Sequence, residues 1–335
     1  MFYTNITYAR ATNGTTTLKS DIQDHILTSP GDKDRHIYSA LDDEFDIDDL
    51  DDPSAQDGKK STKYEFITRL PPILIINVRR AVYNAKEEKS FKNERHVALD
   101  DTLYLDRYLE QTMSMTPAQL LDSRKEQWEY KRQLRALQHR KSELDQTALD
   151  MSLSDVVECA ADYISDLKAA DEELLVDLDP LPIQSDLAEQ MRIKAHNLRK
   201  DSTLLDEPIR QLEERIESHF DGLKDHPYRL HAIFIHRGTA TGGHYWIYIH
   251  DFKENIWRKY NDEKVTEVTD IKEIFTQEEK WPATSTGIVY VREDAKDELT
   301  EAVKRDPAKP PSDGVEMKDA PDVYMNLEVI DGVPA

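Results

Sequence analysis

Between Tyr228 and Asp262 the chain gathers side chains that can move protons. The pattern runs Tyr228-x-Leu230-x-Ala232, His236-x-Gly238, Gly242-Gly243-His244-Tyr245-Trp246-x-Tyr248 and then Trp257-x-Lys259-Tyr260-Asn261-Asp262. An imidazole changes charge near neutral pH, so His244 is the natural general base of this set. Gly242 and Gly243 free the backbone for unusual φ/ψ and let a substrate main chain come close. His244 opens a run of strand-forming residues, which holds its ring against neighbours on a sheet. If 256–260 pairs antiparallel with 245–250, the far end of the second strand returns to the level of His244 and brings Asn261 beside the imidazole. An imidazole whose Nδ1 is held by Asn or Asp, with Nε2 left to take a proton, is the base-plus-orienter pair of a nucleophilic hydrolase. Asn in that role suits a thiol, because cysteine needs less activation than serine.

The nucleophile is the missing partner. The single cysteine, Cys159, lies in Val156-Val157-Glu158-Cys159-Ala160-Ala161, which reads as a helix interior without polar oxyanion donors and predicts a buried, inert thiol. One cysteine also excludes an intrachain disulfide framework and a four-cysteine zinc site, and makes a reducing compartment the default. His231 and His236 are an odd number of residues apart on one strand, so they face opposite sides and cannot share a metal. They are expected to be sheet residues with satisfied hydrogen bonds.

Other chemistries are excluded by composition. None of the 10 glycines falls into a G-x-G-x-x-G or Walker pattern, and no cofactor is expected. Against 67 Asp+Glu stand 44 Lys+Arg, a formal net charge of −23, which argues against nucleic-acid binding because no basic cluster stands apart from acidic neighbours. The longest apolar run, Pro71 to Val78, is too short to span a bilayer, and residues 1–20 hold no apolar signal core. A soluble, intracellular protein of the cytoplasm or nucleus is predicted.

The elements that must position these side chains are legible in outline. Residues 1–30 suggest a hairpin turning at Asn13-Gly14. Residues 41–52 carry eight carboxylates and no cation, which predicts a solvated, mobile loop; the EF-hand pattern is not met. Phe66 to Val78 reads as one strand with Pro71-Pro72 near its start, and Ile73 to Val78 as buried on both faces. Thr116-Pro117 opens a helix whose stripe is Tyr130, Leu134, Leu137, Lys141 and Leu144. Further helices are expected over 154–175 and 185–200. A fourth should start at Asp206-Glu207-Pro208, with Ile209, Leu212, Ile216 and Phe220 facing inward. Trp128 lies off the first stripe, which makes it the first candidate for an association surface. From 228 the period switches to 2: RLHAIFIH, GHYWIYIH, NIWRKYN and GIVYVR predict an antiparallel meander that pairs with the 66–78 strand. Trp246, Tyr248 and Trp257 are expected in the core, and the tail after residue 300 is expected to be unstructured.

These blocks resemble the ubiquitin-specific proteases, papain-like cysteine deubiquitinases. YRLHAIFIHRG, GGHYWIYI, WRKYNDEKV and GIVYV look like that family's histidine half, and LPPILIINVRRAVYN like its central segment. The resemblance implies an α+β fold: a partial papain-like catalytic domain whose antiparallel sheet carries an inserted all-α helical unit. Its parts would be 1–112 (the N-terminal part of the catalytic domain), 113–226 (a helical insertion, dispensable for the chemistry), 227–300 (the histidine-box half) and 301–335 (a disordered tail). It implies His244 as general base, Asn261 as orienter, Asp262 as an assisting polar residue, and Gly242, Gly243 and Tyr245 lining the channel for the ubiquitin tail. Partners would be ubiquitin and ubiquitinated proteins, with self-association or adaptor binding through the helical unit.

Departures from the family pattern are an absent Asn-x-x-Cys box, Ala81 after Arg79-Arg80 where an aromatic is usual, and absent CxxC pairs. The nucleophile is therefore expected in a missing stretch of a longer protein, on a separate chain, or lost. The first is favoured because His244, Asn261 and Asp262 are all retained. The competing class is a non-enzymatic, ubiquitin-binding interaction scaffold working through the helical unit.

Overall fold

The computed structural model describes residues 1–12, 15–50, 61–173, 184, 186–269 and 283–301, with the backbone alone at 48–50 and 168–173. The chain separates into Met1–Thr300 and Glu301–Ala335, and the expected disordered tail lies outside the described residues apart from Glu301. Strands β1 (Thr4–Thr12) and β2 (Thr15–Gln23) form the expected hairpin, in register from Thr4↔Gln23 to Thr12↔Thr15; its turn residues Asn13 and Gly14 lie outside the description. β3 (Ile26–Thr28), β4 (Arg35–His36), helix α1 (Ile37–Glu44), β5 (Asp48–Leu50) and β6 (Ser61–Arg69) follow. A four-stranded sheet in the order β2-β1-β6-β5 results.

The acidic run is not the solvated loop its composition predicts over 41–50. Leu41 is fully buried and starts the last turn of α1. Asp42 is buried too, accepting a 2.6 Å hydrogen bond from the Tyr108 hydroxyl and pairing with Lys131 at 3.2 Å. Arg135 stands 3.7 Å from Asp46. Cations distant in sequence pair with Asp42 and Asp46, which a local count of charge cannot show. Asp51 and Asp52 lie outside the described residues.

The expected single strand over 66–78 is two. Proline lacks the N–H a ladder needs, and Leu70-Pro71-Pro72 ends β6 before β7 (Ile73–Val78) begins in a different sheet. β7 alternates between half-buried and buried positions rather than being buried on both faces. A hairpin of β8 (Ala81–Asn84) and β9 (Lys89–Lys92) leads to the short strands β10 (Val97–Ala98) and β11 (Thr102–Tyr104).

Helix α2 (Pro117–Asp145) starts where expected, with a reciprocal capping box between Thr116 and Gln119. α3 spans Leu153–Glu173. α4 runs unbroken from Leu187 to Ser218, so Pro208 lies inside it and starts no new helix. An interior proline costs about 3 kcal/mol; the buried Ala195 and Leu198, with half-buried Ile209, Leu212 and Ile216, keep the helix continuous against its neighbours.

The period-2 region folds as β12 (Pro227–Thr239), β13 (Gly242–Asp251), β14 (Ile256–Asn261), β15 (Lys264–Val268) and β16 (Thr284–Arg292). The eight-stranded sheet has the path β15-β14-β13-β12-β16-β7-β3, with β11 also on β12. β16 returns to the opposite edge of β12 instead of extending the meander, and joins β7 there. Tyr228, Leu230, Ile233, Leu74, Ile76, Ile288 and Tyr290 form its buried centre.

The base of α2 is anchored in this body. Trp128 is 3 % exposed, against Tyr64 of β6, so it is no open association surface. The buried Arg124 guanidinium donates to the carbonyls of Phe45 (2.8 Å) and Glu65 (2.6 Å); burial pushes its pKa down to about 10. We expect Trp128→Ala to lose about 3–5 kcal/mol, and Arg124→Ala about 1–3 kcal/mol for each carbonyl left without a donor. Leu204→Ala, exposed on α4, should stay within about 0.5 kcal/mol of wild type. Urea unfolding midpoints check all three, and equal losses would mean that the α2 anchor contributes nothing special.

Candidate active site

Strand register brings the candidate residues together. β13 pairs β14 from Ile247↔Tyr260 to Asp251↔Ile256, and one step further Asn261 comes level with Trp246. His244 is then its diagonal neighbour on the same face, because 244 and 246 share a face and so do 259 and 261. The imidazole Nε2 of His244 lies 2.5 Å from Asn261 Oδ1. Spacing alone predicts Nδ1 as the partner nitrogen; in the structure Nε2 faces Asn261. Asp262 Oδ2 is 3.8 Å from the same Nε2. Asp262 has a φ of 52° in the two-residue link between β14 and β15, a left-handed conformation that Asp tolerates.

Beneath His244 the sheet is built of aromatic rings. The His244 ring packs on Trp246 at 5.7 Å between centroids, and Trp246, Tyr248 and Trp257 are buried as expected. Lys259 lies over the rings of Trp246 (4.9 Å) and Tyr248 (5.5 Å). The His244 side chain itself is 49 % exposed, open to a reactant.

The glycines divide their roles differently from the expectation. Gly238, not Gly242 or Gly243, takes the positive φ (145°), and a Cβ there would lie 2.5 Å from Gly242 O and Gly243 Cα. Gly243 is required by closeness: its Cβ would stand 2.3 Å from His236 Nε2 and 2.4 Å from Arg237 O. Gly242 has open space around it. The His236-x-Gly238 spacing is the sequence signal for this tight strand end. Tyr245 lies on the sheet face opposite His244, 61 % exposed, stacked on His236 at 4.3 Å.

Cys159 is an exposed residue of α3, not a buried one. His231 is satisfied through Nδ1 and the His250 carbonyl at 3.0 Å, whereas His236 Nε2 is buried with no hydrogen-bond partner among the described residues. Among those residues no group of three His, Cys, Asp or Glu side chains could hold a metal ion, and no helix is long and apolar enough to cross a membrane.

The ubiquitin carboxyl-terminal hydrolase family matches residues 15–291. The chain belongs to that family. It is 31 % identical over 283 residues to ubiquitin carboxyl-terminal hydrolase 2 of Saccharomyces cerevisiae, covering 84 % of this chain and 21 % of the relative. The probable ubiquitin carboxyl-terminal hydrolase 2 of Schizosaccharomyces pombe is 30 % identical over 287 residues, or 85 % of this chain and 24 % of the relative. The chain thus spans under a quarter of the length of these curated relatives. A solved SAGA deubiquitinase module bound to ubiquitin aldehyde aligns with 88 % of this chain and 42 % of that one, at a TM-score of 0.47 and 13 % identity.

The glycine geometry makes a paired prediction. Gly243→Ala should move the β12–β13 end, shift the His244 ring resonances in NMR spectra and lower the melting temperature. Gly242→Ala should leave both unchanged. Similar behaviour of the two variants would refute the close-approach account.

Proposed function

We propose that this chain supplies the histidine and asparagine of a Cys/His/Asn thiol hydrolase that cleaves the (iso)peptide bond after the C-terminal glycine of ubiquitin. The observation carrying this reading is the His244 Nε2 to Asn261 Oδ1 contact on the sheet, with the ring half exposed and Nδ1 unengaged among the described residues; family membership supplies the substrate class. In the reaction, Nδ1 takes the proton of a cysteine thiol, the thiolate attacks the glycine carbonyl, and the imidazolium returns the proton to the departing amine. Nδ1 then takes a proton from a water that attacks the thioester, and the thiol leaves reprotonated with the ubiquitin carboxylate released. Asn261 accepts from Nε2–H throughout and so fixes the tautomer. Asp262 Oδ2, 3.8 Å from Nε2, lies on the same side of the ring as Asn261. Gly242, Gly243 and Tyr245 border the approach of the ubiquitin tail. No residue of this chain is assigned the nucleophile, since Cys159 sits on α3 in the helical segment; the thiol comes from outside these residues.

This reading divides the chain at 1–112, 113–226, 227–300 and 301–335, with ubiquitin and ubiquitinated proteins as partners in the cytoplasm or nucleus. Because Trp128 and Arg124 dock α2 on the β1-β6 sheet, replacing 113–226 by a short linker is expected to weaken the body as well as any partner contact.

Hydrolysis of a fluorogenic ubiquitin amide tests the reading. The chain alone should show none. Once a portion bearing the cysteine box is joined to it, His244→Ala should lower turnover by about 10² to 10⁴, and Asn261→Ala by less, because a thiolate pair depends less on its orienter. Full activity of His244→Ala in the completed enzyme, or cleavage by the chain alone, would overturn it; a completed enzyme that binds ubiquitin without turnover would favour the scaffold.

A further inference from the structure

We propose that His236 is a positioning residue for His244: its ring is the platform that holds Gly243 and Tyr245 in place and so sets the height at which β13 presents the base. This rests on the reading of His244 given above.

The geometry is specific. His236 and Tyr245 are directly opposed on β12 and β13, and Arg237 and His244 are the next opposed pair, so His236 lies on the reverse side of the same two strands from His244. His236 is only 5 % exposed. It stacks on Tyr245 with centroids 4.3 Å apart and planes inclined by 27°. Its Nε2 points to the spot that a side chain at 243 would fill. The imidazole therefore occupies the volume that Gly243 leaves free, and it does so through shape, since Nε2 makes no hydrogen bond among the described residues. A buried polar nitrogen without a partner is costly, a cost that a leucine here would avoid. The flat ring is what fits between a glycine Cα and a tyrosine face.

The backbone around it is tied down from two other elements. Lys92 of β9 donates to the His236 carbonyl at 3.0 Å, and Thr284 of β16 donates to the same oxygen at 3.3 Å. Arg80, after β7, is buried and donates to Ser285 O (2.6 Å), Asn93 O (3.0 Å) and Arg95 O (2.7 Å). Burial first, then the charges of Lys92 and Arg80, pushes the His236 imidazole below the usual histidine range.

The test uses the chain with nitrogen-labelled histidines, so it does not depend on turnover. In His236→Ala the prop is gone, and the His244 Nε2–H signal bonded to Asn261 should shift and exchange faster with water. If that variant does not fold, His236→Asn, which keeps a planar but shorter group, is measured and should show the same change. In the completed enzyme the same variant should lower kcat by about 10²-fold, the scale of a 1 Å misplacement, with KM for ubiquitin amide little changed. An unmoved His244 signal in the folded variant, or a loss confined to KM, overturns the inference. If His244→Ala leaves the completed enzyme active, the functional reading falls while the NMR result on positioning still stands or falls by itself.

Discussion

The register between β13 and β14 is the constraint on which the candidate site depends. A slip of one residue turns every side chain to the other face, which would send Asn261 to the face of Tyr245 and leave His244 without its partner. That register is held by side chains on both strands. Trp257 stacks on His250 at 4.8 Å, nearly parallel, and Lys259 covers Trp246 and Tyr248. Further along, Tyr260↔Val265 and Trp257↔Val268 tie β14 to β15, so the strand bearing Asn261 is paired on both edges. The two polar residues of the site are thus fixed by apolar and cation–π contacts that take no part in proton transfer.

Much of this was legible in the sequence because it is local. Alternating apolar residues announce β12, β13 and β14, Thr116 with Gln119 announces the start of α2, and antiparallel return brings Asn261 to His244 by counting alone. What was not legible depends on partners far along the chain. Pro71-Pro72 reads as a strand beginning until one knows that two different sheets claim its flanks. Trp128 looks unpartnered until Tyr64 of β6 meets it, and Asp42 looks solvated until Lys131 and Tyr108 do. That Nε2 rather than Nδ1 faces Asn261 depends on the side-chain rotamers, which spacing does not reveal. Cys159 reads as buried from its Val-Val-x-Cys-Ala-Ala setting, but α3 turns that position to solvent.

The helical segment illustrates how docking and surface differ along one element. At its base α2 contributes buried Leu120, Arg124 and Trp128 to the body. Farther out, Leu144 of α2 and Ala195 and Leu198 of α4 are buried as well, and Lys141 pairs with Asp145 and Asp206, both at 3.0 Å. α3 and α4 are joined by Arg199 to Asp155 at 2.8 Å and Arg192 to Asp162 at 3.0 Å. Exposed pairs of this kind contribute little and weaken with salt.

The β1–β2 hairpin has a consequence of a different kind. Thr15–Gln23 is exposed at eight of its nine positions, and among the described residues its outer edge pairs with nothing. An open edge of β-branched residues is a template for cross-strand association between molecules. Lys19 and Asp21 interrupt the run of Thr15, Thr16, Thr17 and Leu18 before Ile22. Those two charges break the run of β-branched and apolar side chains along the open edge.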